Sequence, residues 1–178
     1  IAAGLGVDTL SRYLGGTRRL VRVMPNTPAQ VGEGVAGLFA DSAVGAADRA
    51  TAEAIIAASC RLTFWLDDEA QMHAVTAVSG SGTAYVFYLM HALQQAAQGL
   101  GFGADDARAL SLQTFRGAVE LAAQSGADFA TLQDAVTSKG GTTFAALETF
   151  RQRGLAEHLR DGVNAAAARS VELGRALG

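Results

Sequence analysis

The chain has 178 residues, of which 49% are apolar, and its 14 basic and 17 acidic residues leave a formal net charge of −3. This composition is typical of a folded globular protein, and the lack of a basic stripe argues against nucleic acid and anionic membranes as partners. No apolar run approaches the length of about 18 residues that a membrane-spanning helix needs, and the N-terminus lacks the basic start of a signal peptide, so the sequence predicts a cytoplasmic protein. The lone Cys60 cannot form an internal disulfide.

The first part of the chain predicts both helices and strands. Helical spacing of apolar residues predicts helices at Val7–Leu14 and Ala46–Ser59. Three runs rich in β-branched and apolar residues predict strands at Leu20–Met24, Val35–Ala40 and Leu62–Leu66. Together these elements indicate a βαβ-type arrangement.

From about Asp67 onward no strand is predicted, and apolar residues recur at helical spacing. We expect helices at Ala70–Val78, Ala84–Leu100, Ala104–Gln124, Thr131–Val136, Phe144–Phe150 and Ala156–Ala176. The predicted fold class is therefore mostly α, with a residual α/β portion before the helices.

The helix that begins near Ala84 is apolar on almost every face, which predicts that it is buried. The last predicted helix carries an apolar stripe with small residues, which allows another helix to approach closely. So many apolar helices leave little polar surface for water. We therefore expect a second copy of the chain to cover them, and a closed monomeric bundle is the alternative.

The segment from Val136 to Thr143 has two glycines and two threonines just before a helical run. Backbone N–H groups and hydroxyls in such a loop can face a small anion at a helix N-terminus, where the helix dipole favours negative charge. This pattern indicates a carboxylate pocket. In the alternative interpretation, Gly140 and Gly141 only supply a positive φ, and Thr142 or Thr143 is an ordinary N-cap.

The segment Ser79-Gly-Ser-Gly82 is a second candidate anion-binding loop, although its glycines could instead let two helices pack closely. Two further residues have plain interpretations. Asn26, between two prolines, is predicted as a turn residue, and Glu69 as a solvated acid at the start of a helix.

The common catalytic signatures are missing from the sequence. The three histidines, His73, His91 and His158, form no spaced pair of ligands, so no metal is expected. Ser79 and Ser81 stand outside a Gly-x-Ser-x-Gly frame, which argues against a hydrolase.

Several motifs, in order and over essentially the whole chain, resemble those of the pyrroline-5-carboxylate reductase family. They are Ile1-Ala-Ala-Gly4, Arg22-Val-Met-Pro-Asn-Thr-Pro28, Gly32-Glu-Gly34, Ala74-Val-Thr-Ala-Val-Ser-Gly-Ser-Gly82 with Ala84-Tyr85, and Asp134-Ala-Val-Thr-Ser138 with Gly140-Gly-Thr-Thr143. The resemblance implies that residues 1–66 are the C-terminal part of a dinucleotide-binding α/β domain. Residues 67–178 would then be a helical dimerisation and substrate-binding domain, in a homodimer or a larger ring of dimers.

The resemblance also implies an activity, the transfer of a hydride from NADPH or NADH to C5 of the cyclic imine 1-pyrroline-5-carboxylate, which gives L-proline. Such a reaction needs two oriented ligands and no covalent nucleophile. By resemblance, Thr143 is the catalytic residue that handles the proton of the ring nitrogen. The implied substrate-binding residues are Glu69, Ser138, Gly141, Thr142 and Thr143, and the implied cofactor-binding residues are Ala2, Ala3 and Ala135.

The chain departs from the family pattern at three places. Thr83 and Lys139 stand where the family usually has proline, and Ala127-Asp-Phe129 stands where Glu-His-Pro is common. Two alternatives remain open. A non-catalytic helical oligomerisation fragment is favoured by the missing Gly-rich phosphate turn, and another reductase of the β-hydroxyacid dehydrogenase type is disfavoured because the only lysine, Lys139, lies in a loop.

Overall fold

The computed structural model describes residues 4–177. It divides into two compact units. The first, here called the sheet unit, contains the chain up to Ala84 together with the residues from Arg160 onward, and the second, the helical unit, is Tyr85–Leu159. The predicted domains, residues 1–66 and 67–178, were defined by expected function, whereas these two units are defined by compactness. The predicted domain boundary therefore stays a prediction.

The sheet unit contains three strands in the order β1-β2-β3. Helix α1 is Val7–Tyr13, β1 is Val21–Pro25, β2 is Gly34–Ala40, α2 is Ala46–Ala57 and β3 is Cys60–Trp65. The prediction of a βαβ unit is confirmed for β2-α2-β3, because β2 and β3 are parallel. β1 and β2 are antiparallel, with Val23 opposite Leu38, and a short 3₁₀ segment at Thr27–Val31 connects them.

The core of the sheet unit lies on the central strand β2. Ala36 and Leu38 are fully buried, and the thiol of Cys60 on β3 is buried beside them. Val21 and Val23 of β1 pack against this cluster. Ala36 and Leu38 are two residues apart and so lie on one face of β2, and the burial of this face fixes the register of the strand.

The spacing Gly-x-Gly-x-x-Gly occurs in the chain at Gly32, Gly34 and Gly37. It leads into β2 and not from a strand into a helix, so it is not a phosphate-binding turn. Packing explains two of these glycines. A Cβ on Gly34 would lie 2.8 Å from the Cα of Ala29, and one on Gly37 would lie 2.9 Å from a methyl carbon of Val75.

After β3 and a short turn, residues 71–80 are helical. Helix α3 is Gln71–Val75, and a π-helical turn continues it over Thr76–Gly80. The Ser81 amide donates to the Thr76 carbonyl oxygen across 2.8 Å. The expectation that Ser79–Gly82 is an open anion-binding loop was therefore wrong, because a helical turn uses this backbone, and π-turns of this kind are frequent at functional sites.

The remaining helices follow the predicted order closely. They are α4 at Gly82–Gly99, α5 at Ala104–Ser125, α6 at Phe129–Ala135, α7 at Thr142–Gln152 and α8 at Leu155–Leu177. Within the helical unit, Ala107 and Ser111 of α5 are buried, and the Ser111 hydroxyl donates to the Met90 carbonyl oxygen of α4 across 2.7 Å.

The prediction that α4 is buried was wrong for a single chain. None of its residues is buried, and Phe87 and Tyr88 are 63% and 75% exposed. Val119 of α5 and Phe129 of α6 are also largely exposed. Large apolar side chains of these helices are thus exposed in a single copy of the chain. Among the described residues, no helix is long and apolar enough to cross a membrane.

Candidate functional site

The loop from Val136 to Gly141 connects α6 to α7 in the helical unit. Gly140 has φ +74°, a conformation that favours glycine, and Gly141 is the N-cap of α7. The Gly141 amide donates to the Ser138 carbonyl oxygen across 3.0 Å. A Cβ on Gly141 would lie 2.6 Å from the Ser138 hydroxyl oxygen, so this turn closes only with glycine at 141 unless Ser138 moves.

Four predicted substrate-binding residues lie together where this turn leads into α7: Ser138, Gly141, Thr142 and Thr143. No side chain caps α7, and within the described part of the chain no hydrogen bond engages the hydroxyls of Thr142 and Thr143. The first amides of a helix also lack intrahelical acceptors. The turn therefore presents backbone donors and two hydroxyls at the positive end of an 11-residue helix, where a carboxylate is stabilised.

The departure from the family pattern at Ala127-Asp-Phe129 has a clear local role. Asp128 is the N-cap of α6, and its carboxylate accepts from the Thr131 amide at 2.9 Å and from the Thr131 hydroxyl at 2.8 Å. The hydrogen bond from the Thr131 amide lowers the pKa of Asp128 below its ordinary value. An aspartate cap thus starts α6 in the segment where the family commonly has Glu-His-Pro. Ala135, the predicted cofactor contact, is exposed at the end of the same helix.

Glu69, the remaining predicted substrate residue, lies in the sheet unit just before α3. Its Oε1 atom accepts from the Val7 amide at the start of α1 across 2.6 Å and from Arg22 Nη1 of β1 across 2.8 Å. The side chain of Arg22 is 9% exposed and that of Glu69 is 31% exposed. Glu69 is therefore not the freely solvated acid of its plain interpretation but a partly buried ion-pair partner.

Two residues of the Arg22–Pro28 motif have roles that the sequence interpretation missed. Arg22 is the partner of Glu69, and Asn26 is more than a turn residue. The Asn26 side chain accepts from the Val35 amide at 2.9 Å and donates to the Ser79 hydroxyl at 3.1 Å. The available signal was that Asn26 and Ser79 both lie in segments that resemble family motifs.

The predicted cofactor residues Ala2 and Ala3 lie outside the described residues. Gly4, which follows them, has φ +84° and packs against Gly174 of α8. A Cβ on Gly174 would lie 2.7 Å from the Gly4 carbonyl oxygen, so both positions are closely packed backbone.

His73 of α3 hydrogen-bonds through Nδ1 to the hydroxyl of Ser170 in α8, at 2.8 Å. Ser170 is buried, so this bond joins α3 to α8 inside the sheet unit. In the described part of the chain, no group of three or more His, Cys, Asp or Glu side chains could hold a metal ion.

Comparisons with known proteins agree with these features. The family model described as pyrroline-5-carboxylate reductase dimerisation matches residues 69–173. The chain is 45% identical, over its whole length, to the pyrroline-5-carboxylate reductase of Pseudomonas aeruginosa, and it covers 65% of that protein. It is 41% identical over 97% of its length to the enzyme of Haemophilus influenzae, of which it covers 64%. The chain thus spans slightly less than two thirds of these relatives.

Two solved structures show the same fold. A pyrroline-5-carboxylate reductase from Coxiella burnetii matches with a TM-score of 0.91 and 38% identity, over 97% of this chain and 64% of that one. A pyrroline carboxylate reductase from Plasmodium falciparum, solved with NADP bound, matches with a TM-score of 0.88 and 30% identity, over 97% of this chain and 68% of that one. The fold class, mostly α with a residual three-stranded α/β portion, is therefore confirmed, and the chain belongs to the pyrroline-5-carboxylate reductase dimerisation family.

Proposed function

We propose that the chain forms part of a reductase that transfers a hydride from NADPH or NADH to C5 of 1-pyrroline-5-carboxylate and yields L-proline, the last step of proline biosynthesis. The observation that carries this proposal is the uncapped N-terminus of α7, which has the glycine turn before it and the hydroxyls of Thr142 and Thr143 in its first turn. It suits a small carboxylate such as that of the cyclic imino acid.

The substrate carboxylate would accept hydrogen bonds from the α7 amides and from the hydroxyl of Thr142, with Ser138 and Gly141 shaping the turn. These donors are preorganised, because the Gly141 amide is already bonded to Ser138 and holds the loop closed. Preorganised donors favour an anion without the cost of ordering the loop on binding. Lys139 adds a positive charge to the same loop.

Thr143 lies in the first turn of α7, one residue beyond Thr142. We propose that its hydroxyl hydrogen-bonds the ring nitrogen and stabilises or relays the proton there. The imine accepts a hydride more readily when its nitrogen is protonated, so a group that holds this proton acts as general acid.

We propose NADPH or NADH as the cofactor. Of the three expected cofactor contacts, only Ala135 lies within the described residues. Gly4, which follows the expected contacts Ala2 and Ala3, has φ +84°. In the helical unit, the small side chain of Ala135 is exposed at the end of α6, so a ligand can approach this helix end closely. The nicotinamide would supply the hydride, while the Gly-rich phosphate turn of a complete dinucleotide site is missing from this sequence.

The exposed apolar face of the helical unit supports a homodimer. Phe87, Tyr88, Val119 and Phe129 are all more than 60% exposed in one copy, and the matching family is a dimerisation family. Isolated soluble chains rarely expose so many large apolar side chains. We propose that a second copy covers these helices, and that such dimers can join into a ring.

The proposed function is tested by oxidation of NADPH in the presence of 1-pyrroline-5-carboxylate, using the full-length protein. We expect oxidation that depends on the imine and that falls strongly in Thr143→Val. The control is Thr149→Val on the same helix, since the Thr149 hydroxyl donates to the Ala145 carbonyl oxygen and lies away from the turn. Absence of turnover in the wild-type protein would instead favour a non-catalytic oligomerisation role.

A further inference from the structure

The turn before α1 is held by residues from three other elements of the sheet unit. At one end of this turn, Glu69 accepts a hydrogen bond from the Val7 amide. At the other end, Gly174 of α8 packs against Gly4. Arg22 of β1 completes the arrangement by pairing with Glu69. The chain between these two contacts, residues 4–7, is thus fixed at both ends.

The geometry of the Glu69 carboxylate indicates what it does. Both of its donors, the Val7 amide and Arg22, converge on Oε1, at 2.6 and 2.8 Å. A carboxylate oxygen that accepts hydrogen bonds from both a helix amide and a guanidinium is oriented toward the protein. It acts like a helix cap whose side chain comes from elsewhere in the chain. This orientation fits a group that anchors backbone better than one that faces a substrate.

Burial supports the same conclusion. Arg22 is 9% exposed, so its charge has little access to water and depends on Glu69 for compensation. The pair therefore cannot easily release Glu69 for another ligand, because the released state would leave a buried unpaired cation.

We infer that Arg22 and Glu69 are positioning residues for the proposed NADPH-binding turn, because they hold residues 4–7 in place through the Val7 amide. This inference rests on the proposed function, and it changes the expected role of Glu69 from a substrate acid to an anchor of the turn. The pair acts on NADPH through the backbone of residues 4–7 and not through contact with the imine.

The two roles of Glu69 predict different measurements. We would determine the Kd for NADPH by fluorescence, and the KM for 1-pyrroline-5-carboxylate, in full-length Arg22→Met, Glu69→Gln and the double variant. We expect each single variant to weaken NADPH binding by about tenfold, with the KM for the imine within about twofold of wild type. If the two residues act as one unit, the double variant should bind no more weakly than the worse single variant.

A matched control is available in the same segment. Arg19 makes a bidentate ion pair with Asp48, but this pair is exposed, and Arg19→Met should leave the Kd for NADPH unchanged. If Arg22→Met does not fold, Arg22→Lys replaces it, and its single ammonium group should give an intermediate Kd.

A second readout does not depend on catalysis. Hydrogen exchange of the Val7 amide should be faster by about tenfold in Arg22→Met than in wild type or in Arg19→Met, because the acceptor oxygen is no longer held in place. Unchanged Val7 exchange, or an unchanged Kd for NADPH with a raised KM for the imine, would overturn the inference. A wild-type protein that binds no NADPH would refute the proposed function, and Val7 exchange would then decide alone whether the pair anchors the turn.

Discussion

The contact between Gly4 and Gly174 gives a quantitative test of how closely α8 packs on the turn before α1. A Cβ on Gly174 would lie 2.7 Å from the Gly4 carbonyl oxygen, a separation that real Cβ atoms essentially never show. Gly174→Ala must therefore displace backbone. Overpacking of this kind costs about 1–3 kcal/mol, and the higher helix propensity of alanine offsets at most about 1 kcal/mol of it.

Gly162 of the same helix provides the matched control, because a Cβ there would meet no atom within 4 Å. Gly162→Ala should raise the free energy of unfolding by up to about 1 kcal/mol. The two variants should thus differ by about 1–3 kcal/mol in urea unfolding, which corresponds to about 2–4 °C in Tm for each kcal/mol. Equal stability of Gly174→Ala and Gly162→Ala within about 0.5 kcal/mol would refute the close packing.

Three further predictions concern the site, the sheet and the assembly. Thr143→Val should lower kcat/KM for the imine by about a hundredfold, whereas Thr149→Val should leave it near wild type in the same spectrophotometric assay. The hydrogen bond from the Ala43 amide, with Arg18, lowers the pKa of Asp41 below its ordinary 3.8. The resulting stabilisation is therefore present above about pH 4 and is lost as pH falls through the lowered pKa, so the destabilisation caused by Asp41→Asn should shrink between about pH 6 and pH 3 in urea titrations. Light scattering should give at least twice the mass of one chain, and Phe87→Asp should shift the protein toward single copies; a monomeric wild type would contradict the covered apolar face.

Most elements of the fold could be predicted from local patterns. The helical spacing of apolar residues located α4 to α8 to within a few residues, and the signal was strongest for α4, α5 and α8, which have 18, 22 and 23 residues. The β-branched runs located β1 to β3 in the same way. Strand direction could not be predicted, since the antiparallel pairing of β1 with β2 depends on the short connection around Asn26, which local propensity does not describe.

The candidate site was predictable only in part. The glycine and threonine spacing of residues 138–143 predicted a loop that leads into a helix, and the structure has such a loop before α7, with Gly141 and not a threonine as the N-cap. The partners of Glu69 could not be predicted, because Val7 and Arg22 are 62 and 47 residues away in the sequence. The hydrogen bond between Asn26 and Ser79 could not be predicted either, because these residues are 53 positions apart in the sequence.

Helix α4 shows what a sequence pattern cannot predict about burial. Its apolar pattern indicated a helix that is covered, but sequence cannot say whether the cover comes from the same chain or from a second copy. In one copy the face remains exposed.

The most direct test of the central claim is to follow a labelled hydride. Full-length protein would be incubated with 1-pyrroline-5-carboxylate and NADPH deuterated at C4 of the nicotinamide, in separate reactions for each face of the ring, and the proline formed would be analysed by mass spectrometry and NMR. The account predicts L-proline that carries one deuterium at C5 in one of the two reactions. Proline without deuterium at C5 in both reactions, or no proline at all, would contradict it.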